Sequence, residues 1–379
     1  MKEIPYFRLS SFYLFYFATL GVVVPYFGEY LKSNGFLEIQ IGVIFFFLNL
    51  TKIIAPYIWG AIADSKGERM GIIRVAAFLA VLIFSTILCK PAFALMIVIT
   101  VAFSFFWNAA LPQFEAVTLN YLHKDSNRYS QIRLWGSVGF IITVITAGWL
   151  IEKHGIDLVP LIGLAGYAGI FLTTLTVTET KSAKATGTAA PVISIIKTPY
   201  MLAFLAAGFL MQFSHGSFYA FFTIFMKESG HSNHATGYLW AIGVVAEIIV
   251  FIFIYKIIPR FGVRKLLLFS YAVAALRWVV TALLPEYVAV IAISQTMHAA
   301  TFGIHHAVAM KIIHSSFTGK VQGRGQALYT SVCMGAGTAS GSLISGLAWD
   351  AIGGRGVYLI SAIAVLFSFL LTNRWVKPE

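Results

Sequence analysis

Charge is what this sequence has least of. Of its 379 residues only 11% are Asp, Glu, Lys or Arg, whereas a soluble globular domain carries about 25%. A water-soluble core of this length could not be coated by so few charges, so a soluble domain is excluded. A disordered chain is excluded as well, because 59% of the residues are apolar and 15% aromatic. Cysteine is almost absent: Cys89 and Cys333 stand far apart in apolar runs, which rules out a disulfide framework and a Cys-based metal site. No small-x-small cleavage site follows the early apolar run, so that run reads as an uncleaved first span. Phosphate-loop and HExxH patterns do not occur either.

What is present is a series of long apolar runs. A spanning helix needs about 20 apolar residues, and the runs predict twelve spans, near 9–28, 39–62, 71–89, 92–119, 132–151, 157–177, 200–225, 236–257, 265–284, 287–312, 325–349 and 356–374. Segments such as 39–50 and 357–371 are continuously apolar rather than alternating, which favours helices over a membrane β-barrel. The expected fold is an all-α membrane protein.

The net charge of +12 would suggest nucleic acid in a soluble protein. Here the cations sort by side. Nineteen lie at the termini and in even-numbered loops, and five in odd-numbered loops. The positive-inside rule then predicts cytoplasmic termini and no nucleic-acid role. The Thr/Ala/Lys/Ser-rich stretch within 179–198 predicts a cytoplasmic linker between two six-span halves, residues 1–178 and 199–379.

The halves repeat. At an offset of 195, Gly21, Gly35, Gly42, Gly67 and Arg69 meet Gly216, Gly230, Gly237, Gly262 and Arg264; at 198, Gly139, Gly148 and Gly155 meet Gly337, Gly346 and Gly353. A direct repeat of six spans describes two pseudo-symmetric bundles, an architecture found in secondary transporters. The same offset pairs Lys52 with Glu247. Ionisable groups at mid-span are costly and mark function by default, so both are expected to face the interior.

After span 2 stands Gly60-Ala-Ile-Ala-Asp64-Ser-Lys-Gly67-Glu-Arg69. It resembles the GxxxDxxGxR loop of the major facilitator superfamily. Its copy after span 8 keeps Gly262 and Arg264 but has Pro259 in place of the aspartate. The resemblance implies a gating role for Gly60, Asp64, Gly67 and Arg69, with Asp64 accepting from an arginine or from helix N–H groups of span 11. It narrows at Arg133-Leu-Trp135-Gly, at Trp240 through Glu247, at Arg277-Trp278 and at Gln295-Thr-Met-His298, which together look like the phenylpropionate permeases of bacteria. More distantly the chain is similar to lactose permeases and nucleoside:proton symporters. Glu115, 18 residues before Arg133, matches the lactose permease carboxylate, and Arg277 and His298 match its arginine and histidine. The proton carboxylate of that pattern is replaced here by Thr301, which leaves Glu247 as the available carrier.

Three membrane cations, Lys52, Arg133 and Arg277, face two membrane carboxylates, Glu115 and Glu247. The surplus favours an anionic ligand, and an arginine can clamp a carboxylate through two hydrogen bonds. The alternative is structural pairing, Arg133 with Glu115, and Arg277 or Lys52 with Glu247. Trp135 and Trp240 offer flat faces to an aromatic ring or serve as packing, and Asn108 orients a ligand or bridges helices. His298, His305 and His306 share a stripe of span 10 without local Cys or carboxylate partners, so a polar lining or proton relay at His298 is favoured over metal. The expectation is a monomeric, cofactor-free transporter of the bacterial inner membrane. It would import a small organic anion with a proton, substrate contacts falling to Lys52, Arg133, Glu115, Trp135, Trp240 and Asn108 and coupling to Glu247, Arg277 and His298. A sugar or nucleoside symporter and a drug exporter are the transport alternatives; a membrane enzyme or receptor finds no supporting motif.

Overall fold

A computed structural model of the chain describes residues 4–122, 125, 128–179 and 193–376. Most of the linker expected at 179–198 lies outside them. Helices account for nearly all regular structure, and no strand occurs among the described residues. The reason is solvation: in lipid a backbone must satisfy its own N–H and C=O groups, and an apolar helix does so within one segment.

The helices are α1 (Tyr6–Ser33), α2 (Glu38–Lys66), α3 (Met70–Ser85), α4 (Phe93–Leu122), α5 (Tyr129–His154), α6 (Leu158–Thr176), α7 (Pro199–Glu228), α8 (Asn233–Phe261) and α9 (Val263–Leu283). A short 3-10 turn, Thr86–Cys89, extends α3. The tenth span, α10, runs through Val288–Thr296, a π-helical stretch Ala299–Ile304, and His305–Ser316. The eleventh, α11, starts at Gln322–Tyr329, passes through a second π stretch, Thr330–Gly337, and continues to Gly353. At Gly353 (φ 65°, ψ 175°) the chain breaks direction, and α12 carries on to Trp375. Among the described residues ten helical stretches are long and apolar enough to cross a bilayer, the last of them 54 residues long. That last one is the α11–α12 pair, and the π stretch splits α10, so the chain makes twelve crossings, as the hydropathy predicts.

Two compact units emerge from Cα proximity, one of residues 1–36 and 50–186, the other of 37–49 and 187–379. The first half of α2 therefore groups with the second unit, where Gly42 lies against Gly346; a Cβ on Gly42 would stand 3.0 Å from the Gly346 Cα.

The sequence repeat is a repeat of contacts. In the first unit Gly21 of α1 backs onto the carbonyl of Phe140 in α5, and Gly139 of α5 onto the carbonyl of Leu14 in α1. In the second, Gly216 of α7 backs onto the carbonyl of Thr338, and Gly337 of α11 onto the carbonyl of Phe209. Thr338 is Phe140 plus 198, and Phe209 is Leu14 plus 195. Both offsets thus describe one crossing, in which absent side chains let two backbones touch. Turn glycines repeat too, with matching positive φ: Gly35 and Gly230 (85° and 88°), Gly67 and Gly262 (71° and 76°). At the helix ends that carry Gly35 and Gly230, Lys90 pairs with Asp157 at 2.9 Å, and in the second unit Glu286 pairs with Arg355. The site is nearly equivalent but the polarity is reversed.

A Cβ on Gly337 would sit 2.7 Å from the Phe209 oxygen and one on Gly21 2.8 Å from the Phe140 oxygen. Gly337→Ala and Gly21→Ala should each destabilise by about 1–3 kcal/mol, the cost of overpacking. Gly71→Ala, whose Cβ meets nothing closer than 3.9 Å, should leave the thermal midpoint of the detergent-solubilised protein unchanged. Equal midpoints for all three would refute the contact as drawn.

Candidate functional site

The second unit holds a buried polar chain centred on Arg277 of α9. Its side chain is wholly inaccessible, and every polar partner it has is neutral. Nη1 donates to His298 Nδ1 at 3.0 Å and to Thr301 Oγ1 at 3.1 Å; Nη2 donates to Gln295 Oε1 at 2.9 Å. Phe218 and Trp278 cover the guanidinium, each ring centre 4.5 Å from Cζ. Gln295, His298 and Thr301 all lie on α10, where the ladder changes from α to π geometry. Such stretches recur at functional sites because they re-aim side chains.

Arginine only donates, and that property settles the proton positions. His298 must present a bare Nδ1 to Arg277, so its proton is on Nε2. That Nε2 stands 3.7 Å from Glu247 Oε2 on α8. On the other branch, His215 Nδ1 lies 2.9 Å from the Met211 carbonyl, an acceptor only, so His215 carries its proton there. Its bare Nε2 then faces the Thr301 hydroxyl at 3.4 Å. The chain has one polarity from end to end: Thr301 donates to His215, Arg277 to Thr301 and His298, and His298 points its N–H at Glu247. Protonation of His298 at Nδ1 would require Arg277 to leave. The expected grouping of Glu247, Arg277 and His298 is therefore found within one unit. Trp240 joins it: its N–H donates to Thr223 at 3.1 Å, and its ring packs on Phe218 at 4.4 Å and stacks with Tyr219.

In the first unit the Arg133 guanidinium of α5 lies over the Phe17 ring at 3.9 Å. Glu115 of α4 is its carboxylate neighbour, but Nε to Oε1 measures 4.0 Å, with the side chains 31% and 36% exposed. The same Oε1 accepts from Tyr129 at 3.1 Å. Gly136, one turn on, leaves the space, since a Cβ there would sit 2.8 Å from Nη1 and from the Phe17 ring. Arg133 is thus aligned by a ring and only loosely engaged by its acid. Trp135, two residues on and so about 200° around the helix, is not brought to this cluster. It is partly exposed, and its N–H donates to Tyr6 at 3.0 Å near the start of α1.

Lys52 of α2 is half-buried, and the polar ladder beside it runs from Asn108 Nδ2 to Thr51 Oγ1 at 2.9 Å and from Thr51 to Ser104 at 2.8 Å. Asn108 is accordingly a group that bridges α4 to α2 at Thr51, the chain neighbour of Lys52. In the loop motif, Asp64 accepts from Arg69 at 2.7 Å, which answers the arginine expectation. Arg69 also bonds to Gln113. Gly60 is not crowded, its nearest would-be contact being Gln113 at 3.7 Å. Glu179, to which the motif gives no clue, accepts from the backbone N–H groups of Arg69 (2.9 Å) and Met70 (2.6 Å) and so closes the open N-terminus of α3.

Sequence reasoning missed Phe17, Phe218 and Tyr129. Tyr129 is readable in hindsight, one helical turn before Arg133; Phe17 and Phe218 are two of 33 phenylalanines, with nothing local to mark them. Thr301→Val should remove two hydrogen bonds and leave His215 Nε2 and an Arg277 N–H unsatisfied. A loss of about 1–3 kcal/mol is expected in thermal unfolding, whereas Thr301→Ser, which keeps the hydroxyl, should lose much less.

A family model described as "MFS_1 like family" matches residues 6–360. The chain is 27% identical over 377 residues to the probable 3-phenylpropionic acid transporter of Escherichia coli (strain K12), covering 97% of each sequence. It is 25% identical to the maltose permease of Geobacillus stearothermophilus, covering 98% of this chain and 95% of that one. Among solved structures, that of the nucleoside transporter NupG superposes with a TM-score of 0.84 at 17% identity, covering 98% and 99% of the two chains. The chain belongs to the MFS_1-like family and is a multi-pass membrane transporter of small molecules, not an enzyme.

Proposed function

We propose that this transporter imports a small organic anion, an aromatic monocarboxylate such as phenylpropionate, together with a proton. The observation that carries the reading is Arg133, a cation laid on the Phe17 ring and met by Glu115 only at 4.0 Å. A carboxylate arriving there gains two charge-assisted hydrogen bonds, and a ring attached to it finds an aromatic surface. Lys52 of α2 adds a second positive charge. The similarity to a probable 3-phenylpropionic acid transporter supports the same class.

Glu247 is the proposed proton carrier and His298 its gate. While Arg277 holds His298 Nδ1, His298 can offer Glu247 only an N–H. If transport moves Arg277 off His298, the imidazole becomes free to take a proton, and the proton affinity of the pair changes. A difference in proton affinity between two states is the coupling free energy that a symporter needs. One proton with one monoanion is electroneutral, so the membrane potential, about 2.3 kcal/mol per charge per 100 mV, neither drives nor opposes uptake. In the same proposal the protein is a monomer of the bacterial inner membrane with cytoplasmic termini. Residues 1–178 and 199–379 are its two six-helix halves, joined by 179–198, and the Asp64–Arg69 loop takes part in gating.

Proteoliposomes should accumulate labelled phenylpropionate under an inward proton gradient, and imposing a membrane potential alone should not drive it. Arg133→Ala should reduce uptake at least tenfold while Arg133→Lys retains part of it. Glu247→Gln should keep exchange of internal for external substrate and lose uphill accumulation; undiminished accumulation by that variant would sink the coupling assignment. Thermal stabilisation by maltose or nucleosides, and not by aromatic acids, would instead favour a neutral substrate.

A further inference from the structure

The two units share a fold but not a charge balance at the helix ends that carry the loop motif and its copy. In the first unit that corner mixes signs. Asp64 pairs with Arg69, Glu68 stands beside them, and Glu179 caps α3. The repeat replaces each acid. Asp64 corresponds to Pro259, Glu68 to Val263 and, at the offset of 198, Glu179 to Lys377, while Ser65 and Met70 become Arg260 and Lys265. No acidic residue occurs between Glu247 and Glu286, and none between Asp350 and Glu379. The acids Glu228, Glu286 and Asp350 belong to the other end of the helices, at the end of α7, before α10 and at the end of α11.

The corner is also a built surface. Arg264 reaches from α9 to the end of α12 and donates to both the carbonyl and the side-chain oxygen of Asn373, at 2.8 Å each. Its Nε–H is buried and has no partner among the described residues. Around it, exposed cations lie by exposed rings: Lys256 by Tyr255 at 5.4 Å, Arg260 by Phe261 at 5.5 Å, and Arg374 by Trp375 at 5.3 Å. Aromatic rings at this level mark the headgroup region of a bilayer, and long cationic side chains reach from it toward phosphate. Topology alone needs only an excess of cations. It does not require five of them on one corner, with every acid of the sister corner removed.

We propose that the α8–α9 and α12 corner of the second unit binds the phosphate headgroup of an anionic phospholipid. Lys256, Arg260, Lys265 and Arg374 supply charge, Arg264 offers its unpartnered N–H, and Tyr255 and Trp375 flank the acyl chains. The site lies on the lipid-facing surface and is independent of the transported substrate.

The test is native mass spectrometry of the full-length protein, titrated in detergent with phosphatidylglycerol, phosphatidylcholine or inorganic phosphate. The wild type should retain phosphatidylglycerol in preference to phosphatidylcholine. The double variant Lys256→Gln/Arg260→Gln should weaken that binding about fivefold for each cation removed. Lys153→Gln/Lys227→Gln, which loses the same charge at the opposite end, should bind as the wild type does. Pro259→Asp, which restores the acid of the sister corner, should lower the preference with no change in phosphatidylcholine binding. Equal retention of the two lipids, equal loss in the opposite-end variant, or displacement by phosphate at the lipid's own concentration would each overturn the proposal.

Discussion

A guanidinium with no access to water, inside a helical bundle meant for lipid, has to be compensated or the unit does not form. Arg277 is compensated entirely by neutral groups: two aromatic faces, a hydroxyl, an amide oxygen and one imidazole nitrogen. Because the arginine can only donate, it imposes a direction on everything it touches. The tautomer of His298 and the N–H aimed at Glu247 follow from that one constraint, and the Met211 carbonyl fixes the tautomer of His215. These hydrogen bonds tie α9 to α10, and through Thr301 and His215 to α7, while the Arg277 Nε–H and the Gln295 amide N–H find no partner among the described residues.

The first unit treats its cation differently. Arg133 keeps about a third of its side chain accessible, lies flat on Phe17 and meets Glu115 at the outer limit of an ion pair. A tightly paired arginine would be unavailable to an incoming anion, and an unsupported one would be disordered. The ring gives orientation without neutralising charge, and Gly136 provides the room. The repeat therefore diverged in chemistry while its packing stayed fixed: the glycine crossings and turn glycines coincide, yet one half presents an accessible cation and the other buries one. The helix ends differ as well: the acids of one unit have no acidic counterpart in the other, which carries Arg260 and Lys265 where the first has Ser65 and Met70.

Some features were legible in one dimension because they rest on period, composition or one-residue geometry. Twelve spans follow from run length against bilayer thickness. The two-fold internal repeat follows from glycines that turns and backbone crossings require, and the short list of Lys52, Glu115, Arg133, Glu247 and Arg277 follows from the cost of charge in an apolar segment. Tertiary structure decided which of these meet and through what. It joined Glu247 to Arg277 by way of His298, set Phe17 and Phe218 against the guanidinium groups, moved Trp135 out to Tyr6, and put Glu179 on the start of α3. It also broke α10 with a π stretch, which hydropathy cannot register because composition is unchanged by it. The physical reason is common to all: a side chain's cost in the membrane is a property of the residue, but its compensation comes from partners tens of residues away, and only packing chooses them.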